Sequence, residues 1–395
     1  MIQYNYKELM KLNNKVLKIH SKDNVLVALS DLKEGEEVSY QEKNYILKED
    51  IDAKHKFLTE PVETGALVYM YGVIVGKATC AIDSGEKITT KNLIHETEQY
   101  GVDSKSKNEQ WIAPDLVNFT YKTFNGYHRS NGTVGTENNW LVIPLVFCQN
   151  RNVKVLNQAL VEKLGFGRKK HIGLNVDKLI DAYTNGASEE AILNEDIIES
   201  STAQTKNPLF PNIDGIKFLT HDGGCGGATS DAITLCNLLA GYINNPNVAG
   251  ATVLSLGCQH AQVSILQDAL DKISTDIKKP IYILEQQKIA TEKELIAEAV
   301  KKTFVGLIQA NKAERKPAGL DKLVIGLECG GSDGFSGISA NPTLGYVSDL
   351  IVSLGGATVL SEFPELNGVE QELINRCTNT RIAEKFSSIM SVYNS

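Results

Sequence analysis

From Asn118 onward, short apolar runs alternate with segments of helical period, and this alternation limits the chain to few folds. The runs are WLVIPLVF, IKFLT, ATVLSLG, PIYIL, LVIGLE and ATVLSE. The helical segments between and after them are Val153–Lys163, Ser230–Ile243, Ala261–Lys278, Thr291–Ala310, Thr343–Leu354 and Gln371–Ser388. A strand that is apolar at every position has both faces covered, which is the condition of a parallel sheet between two layers of helices. The pattern therefore predicts a doubly wound, mostly parallel α/β domain over residues 118–395. Asn185–Pro211 fits neither period and reads as a polar surface excursion.

Before Asn118 the texture differs. VLVALSDL, KNYILK, ALVYMYGVIVGKATC and EKITTKNLI are β-rich and are separated by turn signals such as KEGEE and DSGEK. Residues 1–98 thus read as a small all-β module and 99–117 as a polar linker. No internal sequence repeat emerges.

Charge and cysteine content narrow the function classes. A net charge of −8 without a Lys/Arg-rich run argues against nucleic acid as partner. No apolar stretch approaches the roughly 20 residues of a membrane helix, and the N-terminus lacks the apolar core of a signal peptide. The seven cysteines are odd in number and widely spaced, which predicts reduced thiols and a cytoplasmic setting.

Four of those cysteines stand just past apolar runs: Cys148, Cys225, Cys258 and Cys329. In open α/β sheets that carboxyl edge is where ligands bind. Cys80, Cys236 and Cys377 lack this placement and read as small buried residues. Around Cys225 stand His221, Asp222 and four glycines. Around Cys258 stand Gln259, His260 and Gln262, and after Cys329 comes GGSDGFSG with Ser332, Asp333 and Ser336. The stretch FLTHDGGCGGATSDAI could be a phosphate cradle, a redox thiol, a metal corner or a tight turn. No G-x-x-x-x-G-K-[ST], G-x-G-x-x-G or C-x-x-C is present, so nucleotide and dithiol chemistry recede. A pocket for a small polar molecule remains, with a metal on thiolate or imidazole as an option. Phe124–Asn150 adds His128, Arg129, Thr136, Glu137 and Asn138 before the first strand, and Arg129 has the fork to hold a carboxylate.

Taken together, GYHRSNGTVGTEN, Cys148, HDGGCGG, SLGCQ, CGGSDGFSGISANPTLG and GGATVLSEFPELNGVE resemble, in order, the altronate/galactarate dehydratase family of sugar-acid hydro-lyases. The β-rich module resembles that family's SAF-type (β-clip-like) domain, with His55 and Lys56 on its HK pair. The resemblance implies loss of water from a sugar acid such as D-altronate, giving a 2-keto-3-deoxy acid. It implies a divalent metal, Fe²⁺ first and Mn²⁺ second, and no nucleotide. The α-proton of a carboxylate is a very weak acid, so such a site must stabilise an enediolate and protonate the departing hydroxide. By resemblance His221, Ser332 and Asp333 are the catalytic candidates, with His221 first for the base. Arg129, Thr136, Asn138, Ser336 and Asn341 are placed on the substrate. Cys148, Cys225, Cys258 and Cys329, with His55, are the candidate metal ligands. The implied partner is the sugar acid, with self-association into a homo-oligomer left open, and no membrane or nucleic acid.

The sequence departs from the family pattern in several places. Thr89 and Lys91 stand where the family's H-x-H-N has its histidines, with Asn92 as the Asn; Met70 replaces a lysine before Tyr71-Gly72, and Glu137 replaces a basic residue. The family's further glycine-rich and lysine-bearing C-terminal segment is not found before Ser395. Three alternatives stand beside this reading: a galactarate or other hydroxy-acid lyase; a non-catalytic sugar-acid-binding or truncated inactive paralogue, which these departures favour; and a metal or iron–sulfur protein built on the four strand-end cysteines.

Overall fold

The computed structural model describes residues 15–104, 111–167, 173–199, 207–273, 278–328, 330 and 334–394. The chain divides into two compact units, one of residues 122–322 and one joining the chain up to Tyr121 with Leu323 onward.

The 122–322 unit is built on a four-stranded, all-parallel sheet. Its strands lie in the spatial order Gly215–Phe218, Asn139–Pro144, Val248–Ser255, Ile281–Glu285. Every residue of Asn139–Pro144 and of Val248–Ser255 is buried, as their mostly apolar sequence leads one to expect. Helices Thr229–Asn244 and Val263–Ile273 pack with one face around Ile143, Leu145 and Val253. Helices Asn150–Leu160 and Glu292–Ala310 pack with the other around Trp140, Val142 and Leu254. The sheet is therefore doubly wound, in the order second, first, third, fourth. Its topological switch lies between the first and third strands, the usual place for a ligand crevice at the carboxyl edge.

Trp140 anchors the second core. It has no exposed surface, its Nε1 donates to Thr252 Oγ1 at 3.0 Å, and Thr252 Oγ1 shares a 2.7 Å bond with Thr303 Oγ1. Gly250 and Gly306 leave room for the indole; a Cβ on either would run into the ring.

The other unit begins with the β module. Val16–Leu17, Val25–Ala28, Lys56–Leu58 and Lys87–Ile88 form one antiparallel sheet, flanked by the hairpin Glu37–Tyr40/Lys43–Ile46 and the sheet of Leu67–Met70, Val73–Ala78 and Leu93–Ile94. The structure reveals a repeat that the sequence conceals. The bridge Leu32–Ile51 recurs as Val62–Ile82, and the left-handed hairpin turn at Gln41-Glu42 recurs at Tyr71-Gly72. The halves share turn geometry and apolar alternation, which different residues can satisfy.

The C-terminal part differs from the expectation of one sheet over 118–395. Val324–Leu327 and Ala357–Leu360 pair in parallel with each other and stand as a separate two-stranded sheet, with helix Ala340–Ser353 packed on it. A strand's apolar run specifies that it is covered, not which strand it pairs with. The helix expected over Gln371–Ser388 is two, Glu370–Arg376 and Thr380–Asn394. Cys377 is extended, and Asn379 Oδ1 caps the second helix by accepting from Ile382 N at 3.0 Å. Trp111, within the expected linker, donates from Nε1 to Asp349 at 3.1 Å. Among the described residues no helix is long and apolar enough to cross a membrane.

Candidate active site

The four loops that leave the carboxyl edge of the 122–322 sheet are bound to one another. Phe147 N donates to Gly223 O at 3.0 Å, joining the first loop to the second. Ala261 N donates to Gly224 O at 3.1 Å, joining the second to the third, and Gln287 N donates to Leu256 O at 3.2 Å, joining the third to the fourth. Gly224 makes this assembly possible. Its φ is +94°, and a Cβ there would strike the Leu145 carbonyl oxygen and stand 2.7 Å from Val146 Cα. Gly226 and Gly227 also have positive φ and lead into helix Thr229–Asn244, leaving a cleft of about 250 Å³ lined by Asp222, Cys225, Asp231 and Leu235.

Three of the strand-end cysteines follow the sequence reading. Cys148, Cys225 and Cys258 are all exposed on these loops. Cys329, Ser332 and Asp333 lie outside the described residues. Of the cysteines expected to be buried, Cys236 is, and burial pushes its thiol up to about 11. Cys80 is exposed and Cys377 is partly buried, so these two differ from expectation; short loops and a helix end leave them uncovered.

His221 sits at the same edge with both ring nitrogens engaged. Nε2 stands 2.8 Å from Pro144 O, which can only accept, and Nδ1 accepts from Gly223 N at 3.2 Å. These partners suit a ring with its hydrogen on Nε2. Asn150 Nδ2 donates to the His221 carbonyl at 2.9 Å. The residue thus ties the glycine loop to the first strand. His221→Ala is expected to lower stability by about 1–3 kcal/mol, because Pro144 O and Gly223 N lose their partner. Chemical denaturation checks this, and an unchanged midpoint would show that the tie does not stabilise the fold. By contrast the His260 ring is exposed and makes no hydrogen bond among the described residues.

Beneath the thiols lies a group of amides that the sequence pattern does not single out. Asn152 Nδ2 donates to Gln149 Oε1 at 2.8 Å, and Gln149 Nε2 donates to Gln286 Oε1 at 2.6 Å, linking the first and fourth loops. Gln259 Nε2 donates to Ser255 Oγ at 2.7 Å and its Oε1 accepts from Gly257 N at 2.6 Å. Gln149, Asn152 and Gln259 are buried, and the Oδ1 atoms of Asn150 and Asn152 have no partner among the described residues. The signal is present in FCQN, GCQHAQ and EQQK, where Gln or Asn follows each strand, but amides are common in loops and do not stand out.

Arg129, Thr136 and Asn138 are expected on the substrate beside the cysteines, and the structure puts them elsewhere. They precede Asn139–Pro144, at the amino edge, and the strand's rise of about 3.3 Å per residue separates them from Cys148 by roughly 16 Å or more. There Arg129 Nε donates to Pro246 O at 2.7 Å and its NH2 to Asn138 Oδ1 at 3.0 Å. Asn138 Nδ2 donates to Asn212 O at 2.8 Å and Ala310 O at 3.1 Å, while Thr136 N donates to Asn247 Oδ1 at 2.7 Å. Burial pushes the Arg129 guanidinium down. The neighbouring Lys279 caps helix Thr229–Asn244 by donating to the carbonyls of Ile243, Asn244 and Asn245 at 3.0, 3.0 and 2.6 Å. Glu137 accepts from Asn139 Nδ2 at 2.5 Å at this same edge, so its charge does not face the thiol loops.

In the other unit, Ser336 O accepts from Asn341 N at 2.8 Å in the turn entering helix Ala340–Ser353, which brings those two expected residues together. His55 Nδ1 faces Asp52 Oδ2 at 3.9 Å on an exposed turn. Met70 is buried in the module's core, and Asn92 Oδ1 accepts from Thr89 N at 2.8 Å in a plain turn. Among the described residues no three His, Cys, Asp or Glu side chains converge closely enough to hold a metal ion. Cys148, Cys225, Cys258 and His55 belong to no such group among the described residues, and Cys329 lies outside them.

Three family models match the chain in succession: the altronate/galactarate dehydratase SAF domain at residues 14–96, the second domain of D-galactarate dehydratase/altronate hydrolase at 126–311, and the D-galactarate/altronate dehydratase C-terminal region at 320–395. Over 378 residues the chain is 29% identical to an altronate dehydratase of Bacillus subtilis (strain 168) and 30% identical to one of Escherichia coli (strain K12), covering 95% of this chain in each case. It is 25% identical over 388 residues to the galactarate dehydratase (L-threo-forming) of Escherichia coli (strain K12), covering 95% of this chain and 64% of that protein. The chain spans 65% of the length of each altronate dehydratase.

Proposed function

Since the chain belongs to the altronate/galactarate dehydratase family, we propose that it is a hydro-lyase that removes water from a sugar acid, with D-altronate as first substrate, at the carboxyl edge of the four-stranded sheet. The observation that carries this reading is the union of three cysteine-bearing loops through Phe147–Gly223 and Ala261–Gly224 at the topological switch. Sequence-distant loops joined by backbone bonds give a preorganised wall, and preorganisation is what stabilises charge developing in an enediolate.

Each element of the reading has a chemical reason. The exposed backbone of Gly224–Gly227, in a succession of left-handed turns, offers N–H groups to an anion. The amides Gln149, Asn150 and Gln286 bond one another and the neighbouring loops, which holds this wall in place. Removal of the α-proton and protonation of the leaving hydroxide need two titratable groups. With the His221 ring bound to Pro144 and Gly223, His260 is the first candidate for one of them. Ser332 and Asp333, the other catalytic candidates of the family pattern, lie outside the described residues. No step is routed through a metal, since no group of side chains able to hold one is found among the described residues.

The test is anaerobic incubation of the purified chain with D-altronate, galactarate and other hexonates, with and without added Fe²⁺ or Mn²⁺, followed by assay of 2-keto-3-deoxy acid. Product from at least one acid, and its loss in His260→Ala, is expected. Thermal stabilisation by a sugar acid with no product would instead mark a binding protein.

A further inference from the structure

Within the 122–322 unit, the segment 173–199 carries an apolar surface that stays open. It holds two helices, Asp177–Thr184 of eight residues and Glu189–Leu193 of five, and neither contains a buried residue. Asn175 N donates to Ile197 O at 2.9 Å and Lys178 Nζ to Asp196 O at 2.7 Å, so the segment closes on itself. Helices this short do not persist in water on their own propensity and need packing to support them. Yet Val176, Ile180 and Tyr183 are all exposed, Tyr183 by 75%. Their spacing of four and then three residues aligns them in one stripe along helix Asp177–Thr184. Asp177 and Asp181 each follow a member of the stripe and border it. Across 173–198 six carboxylates stand against one lysine.

The second half of helix Glu292–Ala310 has the opposite charge around a similar stripe. Phe304, Val305 and Ile308 are exposed on its outer side, one helical turn apart. Lys301, one turn before them, and Lys312, one turn after, continue the same line and are exposed. The carboxylates of this helix, Glu292, Glu294 and Glu298, all lie in its first half, and Glu298 faces Lys302 at 3.8 Å. Phe210 packs edge-on against Phe304 with ring centres 5.4 Å apart, so the chain returns toward the sheet from the 173–199 segment beside this stripe. Both stripes nevertheless remain exposed, so within one chain they do not cover each other.

We propose that the occupant of each stripe is a second copy of this chain: helix Asp177–Thr184 of one copy packs on the Lys301–Lys312 stripe of the other, reciprocally, in a closed dimer. Charge decides this pairing. Helix Asp177–Thr184 against its own copy would set carboxylates against carboxylates, and the lysine stripe against itself would set ammonium against ammonium. The crossed arrangement buries both apolar stripes and brings Asp177 and Asp181 toward the rim held by Lys301 and Lys312. A two-fold axis makes the crossed contact twice, once from each chain, and leaves no stripe open to propagate a filament. The inference stands on these two surfaces and is independent of the reaction proposed above.

The experiment is sedimentation equilibrium on the full chain under reducing conditions, which keep the exposed thiols from linking copies. The wild type is compared with Ile180→Asp, with the pair Lys301→Glu and Lys312→Glu, and with that pair combined with Asp177→Lys and Asp181→Lys. The wild type is expected to dimerise, and Ile180→Asp to raise the dimer Kd by about tenfold or more, as for a residue at the centre of a contact. The lysine reversals alone are expected to weaken the dimer similarly, and the exchanged charges to bring Kd back to within about threefold of the wild type. Added salt is expected to raise the wild-type Kd. At concentrations where both are monomers, Ile180→Asp should melt with the wild type, because Ile180 is exposed within a single chain. A wild type that stays monomeric at on the order of 100 μM overturns the proposal. So does a dimer indifferent to Ile180→Asp, a failure of the exchanged charges to restore it, or a fall in the monomer's Tm, which would place Ile180 against its own chain.

Discussion

Trp140→Ala is expected to destabilise the 122–322 unit by about 3–5 kcal/mol. The indole is wholly buried, packs at 5.9 Å on Tyr282, and fills the space over Gly250 and Gly306 that the two glycines leave for it. Its removal leaves a cavity and also strips Thr252 and Thr303 of the donor that completes their buried pair. For a unit of this size about 2–4 °C of melting temperature are lost per kcal/mol, so a fall on the order of 10 °C is expected. Trp140→Phe separates the two contributions, since the ring mostly remains while the Nε1 donor is lost. Calorimetric or urea unfolding reads both, and equal midpoints for Trp140→Ala and wild type would show that this core does not stabilise the unit.

Gly224→Ala carries the largest expected effect on function. The new Cβ meets the Leu145 carbonyl oxygen and Val146 Cα, which are backbone atoms of the first strand's end and cannot rotate away. The loop must shift, and with it the bonds from Phe147 to Gly223 and from Ala261 to Gly224. A displacement on the order of 1 Å at a preorganised site costs about 100-fold in turnover. Gly226→Ala is the matched control. Its φ is +73°, yet nothing stands within 4 Å of a Cβ, so it bears only the left-handed strain of about 1–2 kcal/mol. A kcat/KM for Gly224→Ala far below that of Gly226→Ala is expected; equal values would mean that close packing of this loop on the first strand is unimportant to the reaction.

Much of the architecture was legible because it follows from short-range periodicity. Asn139–Pro144 and Val248–Ser255 are apolar at nearly every position, and such strands must be covered on both faces. The exposed thiols at positions 148, 225 and 258 followed from the same reasoning, since residues just after a parallel strand lie at its carboxyl edge. The Arg129 group misled for a related reason. Its residues adjoin the first strand in sequence, but at the end where the chain enters. The strand then carries the chain across the sheet before Cys148 appears. The repeat in the β module stayed hidden because Leu32 and Val62, or Gln41-Glu42 and Tyr71-Gly72, need share only backbone geometry.

Sequence alone determined which stretches are strands and helices, that two textures meet near Asn118, and which family pattern the loops carry. These properties depend on side-chain period and on residue type, both local. Tertiary structure alone decided that Val324–Leu327 and Ala357–Leu360 form their own sheet, that both His221 nitrogens are bound, and that Arg129 serves the amino edge. Pairing, hydrogen-bond saturation and desolvation depend on which distant atoms arrive beside a group, and no local pattern encodes that arrival.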